Sequence, residues 1–341
     1  MNKLFVKKAI TGIFYKIPFF VLEKAVKTNL IVPQYHMVSN EEVPHVKHLY
    51  TYRNVRQFKD DIDFFLRYYS PISLYDLINS RKNDRDLPEE SFLLTFDDGL
   101  REQYDIIAPI LIEKGIPATF FLTIDFLDNK QLFYRHKASI LIEHVQKSGE
   151  LNSIDEIKNI FSKYEIKFTD LKTSILSVKY NRKHVLNEIA LLLGVDFDNY
   201  LSCVKPFLNT EQVKELVKDG FTIGAHSIDH PLYSSLSLEE QLYQTKESIN
   251  RIKEKFLVDY GAFAFPHTDF GVSKKFFEEI LGSGFIDVSF GTSGMKKDIY
   301  KNNLQRIDME DTLLPAEKII AKEYGKKILN VLTGRDEIKR N

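Results

Sequence analysis

The chain has 341 residues, 43% of them hydrophobic and 28% charged, a composition that supports one large α/β domain or two ordinary ones. Lys and Arg number 47 against 48 Asp and Glu, a net charge of −1, so the balance offers no basic face to nucleic acid and excludes it as an expected partner. The single cysteine, Cys203, excludes an intramolecular disulfide framework, and with no tryptophan any aromatic platform must come from Phe or Tyr.

Residues 1–30 carry Lys3, Lys7, Lys8, Lys16, Lys24 and Lys27 against Glu23, interleaved with apolar residues such as Leu4, Phe5, Ile10 and Phe14. Lys16 and Pro18 break the apolar stretches below the length that spans a bilayer, and no small-residue cleavage site follows a clean apolar core. This basic amphipathic segment can rest on an anionic membrane surface or pack on the domain that follows. The expected location is cytoplasmic, with peripheral membrane contact through residues 1–30.

Leu30-Ile-Val-Pro-Gln-Tyr-His36 reads as the first core strand and ends on a histidine. In a parallel barrel such a strand-end residue faces the edge where ligands bind. His45 and His48 follow in a polar loop and are expected in solvent. Asn54 caps a helix whose Val55, Phe58, Ile62, Phe65 and Leu66 form a core-facing stripe.

Ser91-Phe-Leu-Leu-Thr-Phe-Asp-Asp-Gly99 is a buried strand that stops on two adjacent carboxylates, Asp97 and Asp98. Neighbouring carboxylates repel unless their roles are separated, and a metal on one beside a free base on the other separates them. A helix over 101–114, stopped by Gly115, leads to a strand over Ala118 to Thr123, which predicts a right-handed parallel unit. The next connection, 124–220, is far longer than such units need. Its segment 130–209 reads as a helical insertion, either a lid or acceptor-binding element or a structural elaboration.

Phe221 to Ala225 is another strand, ending on His226, and His230 follows four residues later, so both imidazoles face one point if the backbone curls. With one aspartate they make a catalytic-type metal set of two nitrogens and one oxygen with open positions. The same set describes an iron oxygenase, whose ligands usually sit on an antiparallel barrel; this chain alternates strands and helices. A charged helix over Leu238 to Lys255, strands at Tyr260 to Pro266, Phe285 to Phe290 and Leu304 to Ile307, a helix over 315–334 and a frayed polar tail complete the order.

Thr95-Phe-Asp-Asp-Gly99, Gly115-Ile-Pro-Ala-Thr-Phe-Phe-Leu122 and His226-Ser-Ile-Asp-His230, in that order, resemble the motifs of the polysaccharide deacetylases of the NodB-homology type, carbohydrate esterase family 4. The resemblance implies a distorted (β/α)7 barrel over residues 31–314 with helical insertion 130–209, followed by a C-terminal helix and tail over 315–341. It implies Asp97 as general base, and Asp98, His226 and His230 as ligands of a divalent metal, zinc first. Tyr35-His36 matches the subgroup similar to poly-N-acetylglucosamine deacetylases, which makes His36 the general acid.

Two departures stand out. Where the family often has Arg-x-Pro-Tyr with an arginine that orients the base, this chain has Ala264-Phe-Pro266-His267. That leaves Asp97 without an assigned orienting residue, and makes Pro266 and His267 expected substrate contacts, with His267 a second candidate acid. The usual Leu-x-His becomes Leu304-Gln-Arg306, and Arg306 is expected to hold an oxyanion or an acidic group of the glycan. The expected function is metal-dependent hydrolysis of the N-acetyl group of an amino sugar in a polysaccharide or glycan precursor. The alternative is a catalytically silent, glycan-binding relative.

Overall fold

Apolar runs that do not alternate predict strands buried on both faces, and the computed structural model, which describes residues 17–26, 28–149 and 153–341, has them. Six short strands, β1 (Pro33–Tyr35), β2 (Leu94–Phe96), β3 (Ala118–Leu122), β4 (Thr222–Ala225), β5 (Ala262–Ala264) and β6 (Val288–Gly291), pair in parallel in sequence order. The seventh pass is broken in two. Its first half, β7 (Asn303–Gln305), pairs with β6, and its second half, β8 (Ile307–Asp308), pairs with β1, so one bent stretch closes the barrel. Consecutive amides mark the change of neighbour: Arg306 donates to the Gly291 carbonyl at 3.1 Å and Ile307 to the Val32 carbonyl at 2.9 Å. Eight hydrogen-bonded segments thus arise from the seven expected passes, and the fold is the distorted α/β barrel.

Register sets the functional edge. Tyr35 lies opposite Phe96, Phe96 opposite Phe120, and Leu122 opposite Ala225, which brings the residues after these strands to the C-terminal rim. A stack of rings, Tyr35 on Phe96 and Phe96 on Phe120 at 6.0 and 5.1 Å, fills the layer beneath. Outside the barrel, Asn54 and Gln57 form a reciprocal capping box at the start of α1 (Val55–Tyr68). Its Phe58, Ile62 and Phe65 are buried as the spacing predicted, whereas Leu66, placed on the same stripe, is exposed.

The insertion is helical: among the described residues five α-helices lie between Tyr134 and Val204, around an apolar cluster that includes Leu141, Ile157, Phe161 and Ile189. The amphipathic stretch expected over residues 1–30 lies largely outside the described residues. Its described part, the helix Phe19–Val26, packs Phe19 against Phe64 and Tyr324 at 4.9 and 5.6 Å. Among the described residues no helix is long and apolar enough to cross a membrane.

The frayed tail expected at the C-terminus is not observed. Glu337–Ile338 pairs in parallel with Lys297–Asp298, and the Asn341 carbonyl accepts the Lys274 amide at 2.7 Å. The anchor is Arg340, whose guanidinium stacks 4.0 Å from the Phe277 ring centre and sits between the buried carboxylates of Asp269 and Asp298. A polar sequence frays only when its charges find no buried partner, and this arginine finds two. Replacing it leaves both carboxylates short of a cation, so Arg340→Ala is expected to lower the unfolding free energy by about 3 kcal/mol, measured by urea titration.

Candidate active site

Two strand ends and one tight loop build the centre. Asp97 and Asp98 follow β2, and His226 follows β4; the backbone then curls through Ser227 and His230, both left-handed at φ 69° and 63°, so that His230 returns toward His226. Asp98 is left-handed too, at φ 72°. The result brings His226 Nε2 and His230 Nε2 within 3.1 Å, His230 Nε2 and Asp98 Oδ1 within 3.2 Å, and His226 Nε2 and Asp98 Oδ1 within 3.6 Å. Four-coordinate zinc with nitrogen and oxygen ligands sets its ligand atoms about 3.3 Å apart, so this spacing fits.

The donor chemistry fits as well. His226 Nδ1 donates to the Ala264 carbonyl at 2.8 Å, which fixes the tautomer and leaves Nε2 with a lone pair facing the centre. Asp98 Oδ1 is buried without a hydrogen-bond donor. Burial lowers the His226 pKa and outweighs the attraction of Asp97, holding it near 4, so the ring is neutral at pH 7. Burial would raise the pKa of Asp98, but the pull of the neighbouring histidines, His230 first, outweighs it and holds the carboxyl well below its ordinary range. A neutral imidazole and an ionised carboxylate are the protonation states a cation requires.

Asp97 stands beside this triad, its Oδ2 3.7 Å from His226 Nε2. Its orientation, unassigned in the sequence, comes from Arg306: Nη1 donates to Oδ1 and Nη2 to Oδ2, both at 2.7 Å, and Gln34 Nε2 adds a bond to Oδ2 at 3.0 Å. This corrects the expectation that Arg306 meets the glycan. Its side chain is fully buried, because residue 306 is the point where the closing stretch changes partner strands and turns its side chain into the barrel. Burial alone would push the Asp97 carboxyl up, yet Arg306 and His226 hold it below its ordinary value.

His36 follows β1 on the adjacent rim position, and Gln103 ties it to Asp97 by donating to the carbonyls of both residues, at 2.9 and 2.5 Å. Glu310 is its partner. One carboxylate oxygen lies 2.6 Å from His36 Nδ1 and accepts the His36 amide at 2.8 Å, while the other accepts the Met37 amide at 3.2 Å. Burial lowers the pKa of His36, but Glu310, Asp98 and Asp97 together raise it to about 10. His267, at φ 58°, is exposed at the rim with its ring edge-on to His230 at 4.6 Å; Pro266 is buried beneath it.

The loop histidines are not solvated as expected. His45 is buried, with Nδ1 2.9 Å from the Tyr200 hydroxyl, and His48 Nε2 pairs with Glu143 at 2.9 Å. Helix α2 (Tyr134–Ser148) supplies Glu143, and Phe133, just before it, covers His230 at 4.5 Å between ring centres. His136 on that helix is fully buried against His45 and Phe207. Sequence reasoning missed Glu310, Gln34, Gln103 and these insertion residues. The rule that selected Asp97, a carboxylate just past a strand end on the rim, could have selected Glu310; nothing local marks Gln103 or Phe133.

A family model described as polysaccharide deacetylase matches residues 84–279, more than half of the chain. No curated protein matches the sequence. Among solved structures the fold is similar to a Streptococcus pyogenes deacetylase, PplD, in complex with acetate, at 13% identity and TM-score 0.54 over 87% of this chain and 99% of that one. It is also similar to IcaB from Ammonifex degensii, at 15% identity and TM-score 0.53 over 87% and 97%. A polysaccharide deacetylase from Bacillus cereus aligns at 13% identity and TM-score 0.52 over 87% and 69%. At these identities the likeness is one of fold, whereas the family match spans both the Asp-Asp and the His-x-x-x-His motifs: the chain belongs to the polysaccharide deacetylases, hydrolases of carbon–nitrogen bonds other than peptide bonds.

Proposed function

We propose that this chain is a metal-dependent deacetylase that removes the acetyl group from an N-acetylated amino sugar of a glycan. The observation that carries the reading is the buried convergence of Asp98 Oδ1, His226 Nε2 and His230 Nε2 beside an arginine-held carboxylate, Asp97. Bound to that triad, a divalent ion, zinc first, would polarise the acetamide carbonyl and a water molecule. Asp97, ionised and pinned by Arg306 and Gln34, takes a proton from the attacking water. His36, protonated through its contact with Glu310, delivers a proton to the departing amine as the C–N bond breaks. One water is consumed, and acetate and a free amino sugar leave.

The acid and base sit on adjacent rim positions with their pKa values pushed apart, Asp97 down and His36 up, as the two roles require. This pairing favours an active enzyme over the silent relative, because the two departures are both filled from elsewhere in the fold. Arg306 takes the place of the absent arginine beside the base, and His36 with Glu310 that of the absent acid. His267, exposed on the rim loop, is assigned to substrate contact, whereas Pro266, expected to share that role, is buried beneath it and supports the loop. A membrane-proximal or lipid-linked glycan is consistent with the basic composition of residues 1–30, and a cytoplasmic location remains the expectation carried from that composition.

Acetate release from an N-acetylglucosamine oligosaccharide, with metal content measured in parallel, tests the scheme. Asp97→Asn is expected to keep about one divalent ion per chain and lose at least about 100-fold in turnover, whereas Asp98→Ala and His230→Ala lose metal and turnover together. Metal-free wild-type protein after incubation with zinc would remove the hydrolase reading.

The pH profile separates the two proton-transfer groups. Glu310 raises the His36 pKa, so Glu310→Gln is expected to move the alkaline limb of the rate profile to lower pH, because the acid then deprotonates earlier. A dication on Asp98 withdraws part of the same rise, which places the wild-type limb below pH 10. In Arg306→Met the charge that offsets burial of Asp97 is gone, so its pKa climbs and the acid limb moves to higher pH. Limbs that stay in place in both variants would separate these residues from the proton transfers.

A further inference from the structure

The His226–His230 loop is held in its ligating shape from outside the barrel. Ser227 and His230 both occupy the left-handed region, which side chains other than glycine enter only at a cost, so neighbours must hold the turn. Part of that support comes from α3 (Leu238–Phe256): Gln244 accepts the Ile228 amide at 2.9 Å and donates to Asp229 Oδ1 at 2.9 Å. The rest comes from the insertion. Tyr180 donates its hydroxyl to Asp229 Oδ2 at 2.5 Å and Lys183 its ammonium to the same oxygen at 2.8 Å, with the ammonium 4.3 Å from the Tyr180 ring centre. Asp229 lies between the two histidines, and its side chain is 12% exposed, so these bonds are largely shielded from water.

From this arrangement we infer that the helical insertion is a strut of the metal centre, with Tyr180 and Lys183 as positioning residues that act on His226 and His230 through Asp229. The inference rests on the metal reading above and deepens it. The insertion has an apolar cluster of its own and shares a second with the barrel, where Ile140 and Leu201 join Met37 and Val46, so its bonds to Asp229 extend an interface that is already packed. Coupling across that interface is reciprocal: an insertion that holds the loop raises metal affinity, and a bound metal that fixes the loop steadies the insertion. The insertion therefore sets how tightly the centre holds its ion, a role different from shielding the site or contacting glycan.

The test uses cobalt(II), followed by its visible absorption and by competition with a chelator. Tyr180→Phe combined with Lys183→Met is compared with Tyr164→Phe combined with Lys163→Met. The second pair carries the same changes within the insertion, but its partner there is Glu188 rather than Asp229. The first pair is expected to weaken cobalt binding roughly tenfold and the second to leave it within about twofold, with Lys183→Arg close to wild type. In the wild-type protein, cobalt is also expected to slow amide hydrogen exchange over residues 180–192. Cobalt affinity unchanged in the first pair, equal weakening in both, or exchange that ignores cobalt would overturn the strut. A wild-type protein that binds no cobalt would instead remove the metal reading beneath it.

Discussion

The ion pair between Arg306 and Asp97 joins the closure of the barrel to the chemistry of its rim. Arg306 stands where the last strand leaves β6 for β1, so the bend that completes the barrel also sends a guanidinium inward. Two parallel N–H bonds of 2.7 Å fix both oxygens of a carboxylate that is 1% exposed. A single cation at this place favours the ionised carboxylate, orients it and offsets its desolvation. Barrel closure and the orientation of Asp97 therefore meet at one residue.

The same centre gathers three carboxylates, Asp97, Asp98 and Glu310, and two cations, Arg306 and protonated His36, a sum of −1 in a region almost out of water. A divalent ion held there would turn that sum to +1, which would suit a site where negative charge develops on an acyl oxygen during hydrolysis. The neutral state of His226 belongs to the same arrangement, since a protonated ring there could not ligate. Proton positions are thus set by burial and by partners drawn from β1, β2, β4 and the stretch after β8.

The structure also recasts the insertion. Its length suggested either a lid or acceptor-binding element or a structural elaboration, and its contacts with the centre include Phe133 over His230 and the Tyr180 and Lys183 bonds to Asp229. These are packing and hydrogen-bonding contacts to the ligand loop from beside it. The C-terminal tail acts similarly at another rim loop, where Arg340 donates to the backbone and side chain of Asp269, two residues from His267. Segments remote in sequence, with no motif of their own, brace the loops that bear the functional side chains.

The sequence by itself determined the strands, the rim residues and the candidate metal set. Continuous apolar runs report burial on both faces, and a carboxylate or imidazole placed just after such a run is carried to the barrel rim whatever the intervening chain does. Asp97, Asp98, His226, His230 and His36 were legible for that reason, and so were the Asn54 cap of α1 and the helical nature of 130–209. Only the tertiary structure decided what surrounds them. Arg306 meets Asp97 across 209 residues and Glu310 meets His36 across 274, pairings that depend on which strand closes the barrel. The burial of His45, the docking of Arg340 and the bracing of Asp229 are likewise long-range. A polar side chain's partner is chosen by where folding delivers it, and local pattern carries no record of that distance.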